Sequence, residues 1–306
     1  MIATTSAREE ERALPATGGG RKHRSRARDF VALVKPRITM LVVFTTAGGL
    51  WLAPVRAGAR TIFFTLLGTV LIVAAANVLN MYLERDSDAL MTRTRGRPLP
   101  AGRMDPQVAL RFGLVLAAIS VPLLTFAVGA VPGLLASLAL VSYVLLYTPL
   151  KRHTAAALLV GAIPGAIPPL IGWTAAQGRI ELGGVLLFAV IFLWQVPHFL
   201  AITLFRKEDY ARAGLVVQPN EPGGEAEARR NIVRYTVALV FVSLLFVPLR
   251  LGGALYLATA LLAGAGFLAC GLAGLRKGAG EKWARSEFAA SLVYLTVLFG
   301  TLMLGR

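Results

Sequence analysis

Nine long apolar segments are the feature that most limits what this chain can fold into. A helix needs about 20 mainly apolar residues to cross a bilayer, and each segment approaches that length. With 56% apolar and only 16% charged residues, the composition is typical of a chain surrounded largely by lipid. We therefore predict an all-α polytopic membrane protein with nine transmembrane helices. The predicted spans lie at about 38–55, 61–83, 108–129, 131–150, 154–173, 182–205, 232–249, 251–273 and 286–305.

The net charge of +16 follows this topology. If the N-terminus is cytoplasmic, the opposite side keeps only five basic residues and leaves 27 of the 32 Lys and Arg on the cytoplasmic side. Basic residues collect in cytoplasmic loops, so the charge predicts this orientation and does not indicate a nucleic-acid partner. The five exceptions are Arg56, Arg60, Arg179, Arg250 and Arg306.

The N-terminal stretch lacks the apolar core of a signal peptide. We expect residues 1–34 to form a disordered basic cytoplasmic arm, followed by a transmembrane domain at 35–306. The single cysteine, Cys270, excludes a disulfide framework or a Cys-based zinc site within the chain.

Acids and amides follow one another at the end of the second span. Asn77, Asn80, Glu84 and Asp88 are spaced by three, four and four residues, which is one stripe of an α-helix. Such groups are costly at a lipid-embedded helix end unless they face a cavity or a partner. Their oxygens suit Mg²⁺, which is commonly shared between carboxylates and substrate phosphates.

Arg93, Arg95 and Arg97 follow this stripe and are suited to hold phosphate oxygens. The alternative is a solvated loop in which Glu84, Asp86 and Asp88 merely pair with neighbouring arginines. Asn77 and Asn80 argue against it because they sit inside the apolar run, although Asn also joins helices.

Two further polar groups lie at the ends of the fourth and sixth spans. Tyr147, Lys151 and Arg152 form a cationic turn, which alone is typical of membrane anchoring. His198 lies in an apolar run, preceded by Trp194. A lone His of this kind is either an interhelical hydrogen-bond partner or an axial ligand of haem iron.

Four stretches resemble the UbiA family of intramembrane prenyltransferases, and within it the branch that farnesylates haem. In the first, Asn80 is followed at four-residue intervals by Glu84 and Asp88, and the chain continues as DALMTRTRGRPLPAG. The others are LVKPRIT at 33–39, YTPLKRHT at 147–154 and WQVPHFLAITLFRKEDYARAG at 194–214. Glu84 stands where the family usually has Asp, and Phe205 stands where generic members have the first acid of a second motif.

The resemblance implies that the helices surround a central cavity, that farnesyl diphosphate is the donor and that haem B is the acceptor. It implies a catalytic role for Lys151 and for the residues that would hold Mg²⁺, namely Asn80, Glu84, Asp88 and Asp209. The residues it places beside the substrates are Asn77, Arg93, Arg97, Tyr147, Arg152, Trp194, His198, Arg206 and Lys207.

The resemblance also implies membrane lipid and a haem A synthase as further partners. The expected location is a cell (plasma or inner) membrane. A family member with an aromatic acceptor is the near alternative, and the segment from Trp194 to His198 argues against it. A transporter or channel would instead spread polar groups through the bilayer midplane.

Overall fold

The computed structural model describes residues 26–305, and all regular elements in this range are helices. Tight turns and short loops connect most of them, so neighbouring helices are antiparallel. We number the helices in chain order as α1 (Arg26–Val34), α2 (Pro36–Leu52), α3 (Ala59–Leu83), α4 (Arg85–Leu90), α5 (Pro106–Val128), α6 (Ala130–Leu150), α7 (Ala157–Gln177), α8 (Leu182–Phe205), α9 (Lys207–Arg212), α10 (Gly224–Leu244), α11 (Ala254–Ala273) and α12 (Glu281–Leu304).

Each predicted span corresponds to a helix, and the all-α polytopic membrane architecture is confirmed. Within residues 26–305, seven helices are long and apolar enough to cross a membrane, or eight if α1 and α2, which meet at 42°, form one span. The remaining predicted span is α10, which begins at Gly224 and not near residue 232. Its first turns are charged, and Glu227 pairs there with Arg230 and Arg234.

The interior of the bundle and its outer surface differ in the way a lipid-embedded protein requires. Trp173, Tyr256 and Tyr294 are at most 2% exposed, and the two tyrosine hydroxyls are hydrogen-bonded to Ser243. Phe126 is 87% exposed on the outside. A soluble protein rarely presents large apolar patches, whereas lipid accepts them.

Helices α2 and α7 approach each other closely because of small residues. A Cβ atom added to Gly49 would lie 2.0 Å from the Pro169 carbonyl oxygen, and one added to Gly172 would lie 2.0 Å from that of Thr46. Three prolines lie inside α7 and remove backbone donors there. Other helices pack around α7, so this irregular stretch contacts protein and not lipid, where unpaired backbone groups would be costly.

Helix α1 belongs to the bundle, in contrast to the arm expected through residue 34. Leu33 is fully buried, and the rings of Phe30 and Phe112 meet edge to face at 5.1 Å. The buried Asp29 pairs with Arg103, with Oδ1 3.1 Å from Nε. Residues 26–34 therefore belong to the folded bundle, and the rest of the expected arm, residues 1–25, lies outside the described residues.

Candidate active site

The stripe at the end of the second span is buried. Helix α3 passes into α4 with little interruption, since the amide of Glu84 donates to Asn80 O at 3.0 Å and that of Asp88 donates to Glu84 O at 2.7 Å. Asn80, Glu84 and Asp88 are all at most 5% exposed. The one-face arrangement predicted from their spacing is thus present, and Glu84 and Asp88 do not lie in a solvated loop. Asp86 alone follows that alternative, since it is exposed and lies 3.7 Å from Arg85.

Each acid of this stripe meets a base from another part of the chain. Arg97 Nη1 lies 2.5 Å from Asp88 Oδ2, and Lys151, in the turn after α6, pairs with Glu84. Arg152 donates to Ser87 Oγ at 3.4 Å. The structure therefore brings together the first and second polar groups, which are more than 50 residues apart in the sequence.

Lys35 is a member of this site that the sequence analysis did not single out. Its Nζ atom lies 3.5 Å from Asn80 Oδ1. Its backbone is left-handed, with φ at 49°, which costs a non-glycine residue about 1–3 kcal/mol and is typical of functional positions. Pro36 at the start of α2 disfavours a right-handed helical residue before it, so Lys-Pro in LVKPRIT was the available signal.

The cluster holds more positive than negative charge. Four bases surround the two carboxylates of Glu84 and Asp88; they are Lys35, Arg97, Lys151 and Arg152. Burial, with the nearby charges of Lys35 and Arg152, lowers the pKa of Lys151 to about 7. An anion would relieve this excess and favour the charged lysine.

Asp88 also keeps a free oxygen. Its Oδ1 atom is buried and has no hydrogen-bond partner within the described part of the chain. An unsatisfied buried carboxylate oxygen is costly and suits a ligand such as a metal ion. Asn80 and Glu84 supply further oxygens one turn apart, so this donor set fits Mg²⁺, whose usual protein ligands are carboxylates and amide oxygens.

Tyr147 lies beside the cationic turn. Its ring stacks on that of Tyr143 at 5.4 Å, and Lys151 Nζ lies 5.5 Å from its centre. It ends a π-helical stretch, Ser142–Tyr147, and such turns occur frequently at functional sites. A Cβ atom at Gly161 would lie 2.6 Å from the Tyr147 ring, so glycine is what leaves room for it.

Two other predicted substrate contacts have clear positions. Asn77 donates from Nδ2 to the carbonyl oxygen of Val34 at 3.3 Å, and so it holds the junction that presents Lys35. Arg93 is exposed. Burial raises the pKa of Tyr210, and the nearby positive charge of Arg93 offsets part of that rise. Asn77 is thus joined to backbone, whereas Arg93 stays available at the surface.

The second acidic motif is built from local ion pairs on α9. Asp209 pairs with Arg212 and lies 3.8 Å from Arg206, and Lys207 pairs with Glu225 at 2.6 Å. The hydrogen bond from Arg212 is the main cause that lowers the pKa of Asp209. Arg212 also donates to Thr92 at 3.3 Å, which ties α9 to the loop after the first motif. In residues 26–305, no group of three or more His, Cys, Asp or Glu side chains is arranged to hold a metal ion.

Trp194 and His198 lie together between α8 and α12. Their rings stack at 4.6 Å, and both contact Ser291, since Trp194 Nε1 donates to its carbonyl oxygen at 2.7 Å and His198 Nδ1 lies 2.8 Å from its hydroxyl. The interhelical partner of His198 is thus Ser291. Its Nδ1 atom makes this contact, while the Nε2 atom has no hydrogen bond to any described residue.

Fold and site together define a class of protein, an intramembrane protein with a buried site where acids and bases from separate segments meet. The chain matches the model of the UbiA prenyltransferase family over residues 41–293 and belongs to that family. A protoheme IX farnesyltransferase from Sorangium cellulosum is 54% identical and aligns with 87% of this chain and all of its own. One from Myxococcus xanthus is 52% identical over 92% of this chain and 95% of its own.

Solved structures support the same fold. A digeranylgeranylglyceryl phosphate synthase superposes with a TM-score of 0.79 at 16% identity, over 91% of this chain and 98% of that one. A UbiA homologue from Archaeoglobus fulgidus, bound to GPP and Mg²⁺, superposes with a TM-score of 0.63 at 15% identity, over 90% and 99%. The sequence-based resemblance to this family is confirmed.

Proposed function

We infer that this chain transfers the farnesyl group of farnesyl diphosphate to a vinyl group of haem B and so produces haem O. Family membership makes it a prenyltransferase. Relatives more than 50% identical over nearly the whole chain carry the name of this activity. The structural observation that carries the proposal is the buried cluster around Asp88, where bases from separate segments of the chain converge on the two carboxylates and Asn80.

The chain's own residues at this cluster would bind the diphosphate. Lys35, Lys151 and Arg97 reach the stripe from three different segments, and Arg93 and Arg152 extend the positive surface. Charge-assisted hydrogen bonds from such groups are shorter and stronger than neutral ones. They would stabilise the negative charge that grows on the departing group, which is the largest contribution in many enzymes.

Mg²⁺ is the cofactor we propose, held by Asn80, Glu84 and Asp88. Bound there, it would add its positive charge to that of the bases and help to stabilise the diphosphate oxygens. The free Oδ1 atom of Asp88 supports this assignment. Asp209, our fourth proposed ligand, would first have to give up its pairing with Arg212.

The reaction that follows is a substitution at carbon. The carbon–oxygen bond of farnesyl diphosphate breaks, and its electron pair leaves with the diphosphate. The vinyl π electrons of haem B form the new carbon–carbon bond, and water then adds at the neighbouring carbon with loss of a proton.

We further propose that the N-terminus and the face bearing both acidic motifs are cytoplasmic, in the cell membrane. The distribution of basic residues supports this orientation. Single cysteines introduced near residues 95 and 180 of a Cys270→Ser chain test it with a membrane-impermeant maleimide. Labelling of position 180 alone from outside the cell is expected, and labelling of position 95 alone would reverse the orientation.

The activity itself is tested with purified chain, haem B, farnesyl diphosphate and Mg²⁺. Haem O is the expected product, identified by mass. The same incubation with a hydroxybenzoate acceptor should give no prenylated product. Prenylation of that acceptor, with haem B left unchanged, would overturn the proposal.

A further inference from the structure

Asn80 differs from the other proposed metal ligands in that its side chain must be turned the right way round. The carboxylates of Glu84 and Asp88 present oxygen at both ends, whereas an amide has an oxygen at one end and a donating NH₂ group at the other. Only the oxygen can bind a cation. The orientation of the Asn80 amide therefore decides whether it can serve the site.

Thr148, in the last turn of α6, fixes this orientation from one side. Thr148 and Asn80 are both buried, each 3% exposed. A threonine hydroxyl has one hydrogen, and Thr148 Oγ1 donates it to the carbonyl oxygen of Tyr143 at 2.8 Å. The hydroxyl oxygen must then be the acceptor in its 3.1 Å contact with Asn80, so the NH₂ end of the amide faces Thr148.

Lys35 fixes the same orientation from the other end of the amide. Its Nζ atom lies 3.5 Å from Asn80 Oδ1, and a lysine ammonium group can only donate. If the amide were turned over, two donating groups would meet at Lys35, and the amide oxygen would meet a hydroxyl whose hydrogen is already used. Both contacts therefore place the amide oxygen on the side of Lys35.

The contact from Thr148 to Tyr143 depends on the π-helical stretch of α6. The backbone amide and the hydroxyl of Thr148 both donate to the Tyr143 carbonyl, five residues earlier. In an α-helix, a threonine hydroxyl donates to a carbonyl three or four residues earlier. The π-helical turn thus determines where the Thr148 hydroxyl lies, and with it the oxygen that Asn80 meets.

Asn77, on the preceding turn of α3, is held in a different way. Its Nδ2 atom donates to the backbone carbonyl of Val34 at 3.3 Å, an acceptor that no side-chain substitution removes. The orientation of Asn80 depends instead on one side-chain hydroxyl of another helix. Removal of that hydroxyl therefore tests what the orientation is for.

We propose that Thr148 is a positioning residue of the metal site, whose hydroxyl keeps Asn80 Oδ1 turned towards the metal ion and the diphosphate. The proposal rests on the proposed function, which places Mg²⁺ at Asn80, Glu84 and Asp88. It goes beyond that function because it gives a role to a residue that acts through Asn80.

Two pairs of variants isolate the hydroxyl of Thr148. The parent chain and Thr148→Val differ in the hydroxyl at similar size. Thr148→Ser and Thr148→Ala differ in the same way at smaller size, so one pair remains if a member of the other is unstable. In each pair, the member without the hydroxyl should bind Mn²⁺ about tenfold to a hundredfold more weakly, the usual loss when a group that orients a metal ligand is removed.

The affinity is measured on the full chain in nanodiscs. Mn²⁺ replaces Mg²⁺, farnesyl thiodiphosphate is present as a slowly reacting donor analogue, and electron paramagnetic resonance measures the bound Mn²⁺. Thr174→Val is the matched control, because Thr174 is fully buried and its hydroxyl donates to Leu170 O at 2.8 Å, within its own helix. It should leave the affinity for Mn²⁺ unchanged.

The Mg²⁺ dependence of haem O formation separates positioning from a general defect. A weakened metal site fills again when more metal is added, so the activity of Thr148→Val should rise towards the parent value as Mg²⁺ is raised. A loss of folding would not respond to Mg²⁺. Thr174→Val should keep the Mg²⁺ dependence of the parent chain.

Equal Mn²⁺ affinity in Thr148→Val and the parent chain, or in Thr148→Ser and Thr148→Ala, would overturn the inference. Mn²⁺ binding that depends on the hydroxyl, in a parent chain that makes no haem O, would contradict the proposed function alone. Haem O formation by a parent chain whose Mn²⁺ affinity does not depend on the hydroxyl would contradict this inference alone.

Discussion

The two acidic motifs lie on the same face of the bundle but are built differently. Glu84 and Asp88 are buried, and their bases come from the turn after α6 and from the loop after α4. Asp209 is held chiefly by Arg212, three residues away on the same short helix. The first motif therefore joins distant segments, whereas the second is mostly a local arrangement.

This contrast separates residues that assemble a site from residues that line it. A buried carboxylate cannot lose its base without a large cost, about 3–5 kcal/mol for an uncompensated charge. An exposed pair contributes about 0–1 kcal/mol. We therefore expect substitutions to be most harmful around Asp88 and mildest around Lys207.

The largest effect is expected for Asp88→Asn. The amide keeps the shape but removes the charge and one metal-binding oxygen, and we expect turnover to fall about a hundredfold or more. Haem O formation by mass measures it, with gel filtration to confirm folding. Asp86→Asn is the matched control, since Asp86 is 81% exposed. Comparable losses of turnover in both variants would contradict a special role for the buried Asp88.

Lys151→Met should have the next largest effect. It removes a charge-assisted contact to the diphosphate, which corresponds to roughly tenfold to a hundredfold in kcat/KM. It also leaves Glu84 without its ion-pair partner, so a lower Tm is expected. Lys151→Arg should recover part of the activity, and a fully active Lys151→Met chain would exclude Lys151 from the site.

Asp29→Asn should have a weaker effect, because it should change only the position of the loop that carries Arg97. Arg103, the partner of Asp29, also donates to Gly96 O at 3.1 Å, next to Arg97. Loosening this contact should raise KM for farnesyl diphosphate about twofold to fivefold, the range of one partly exposed interaction, with a smaller change in kcat. Glu227→Gln, at an exposed helix pair, should change neither, and a fall in kcat at constant KM would contradict the positioning role.

Lys207→Ala should have the smallest effect. Its ion pair with Glu225 lies at the surface, and its removal should keep kcat/KM within about twofold of the parent value. Steady-state kinetics with farnesyl diphosphate measures it. A loss as large as that of Lys151→Met would mean that the second motif holds the diphosphate as strongly as the first.

Much of this architecture was predictable because it depends on local sequence. Apolar length predicted the spans, and the spacing of Asn80, Glu84 and Asp88 predicted their shared face. The start of α10 was missed because charged first turns, satisfied by their own ion pairs, resemble a loop in composition. Helix α1 was missed because its contacts, such as that of Asp29 with Arg103, join residues far apart in the chain.

The site was predictable only as separate pieces. Sequence patterns marked the acids, the cationic turn and His198, but the pairing of Lys151 with Glu84 joins residues far apart in the chain. Lys35 also lies far from the acids in the sequence, and its place in the site depends on Asn80, which the fold brings beside it.

Mn²⁺ binding tests most directly whether the cluster around Asp88 holds a metal-chelated diphosphate. The measurement is electron paramagnetic resonance of Mn²⁺ with farnesyl thiodiphosphate, a slowly reacting donor analogue, added to the parent chain and to the Asp88→Asn and Asp86→Asn variants. The analogue should immobilise Mn²⁺ on the parent chain and on Asp86→Asn but not on Asp88→Asn. Equal Mn²⁺ immobilisation on the Asp88→Asn chain would contradict the account.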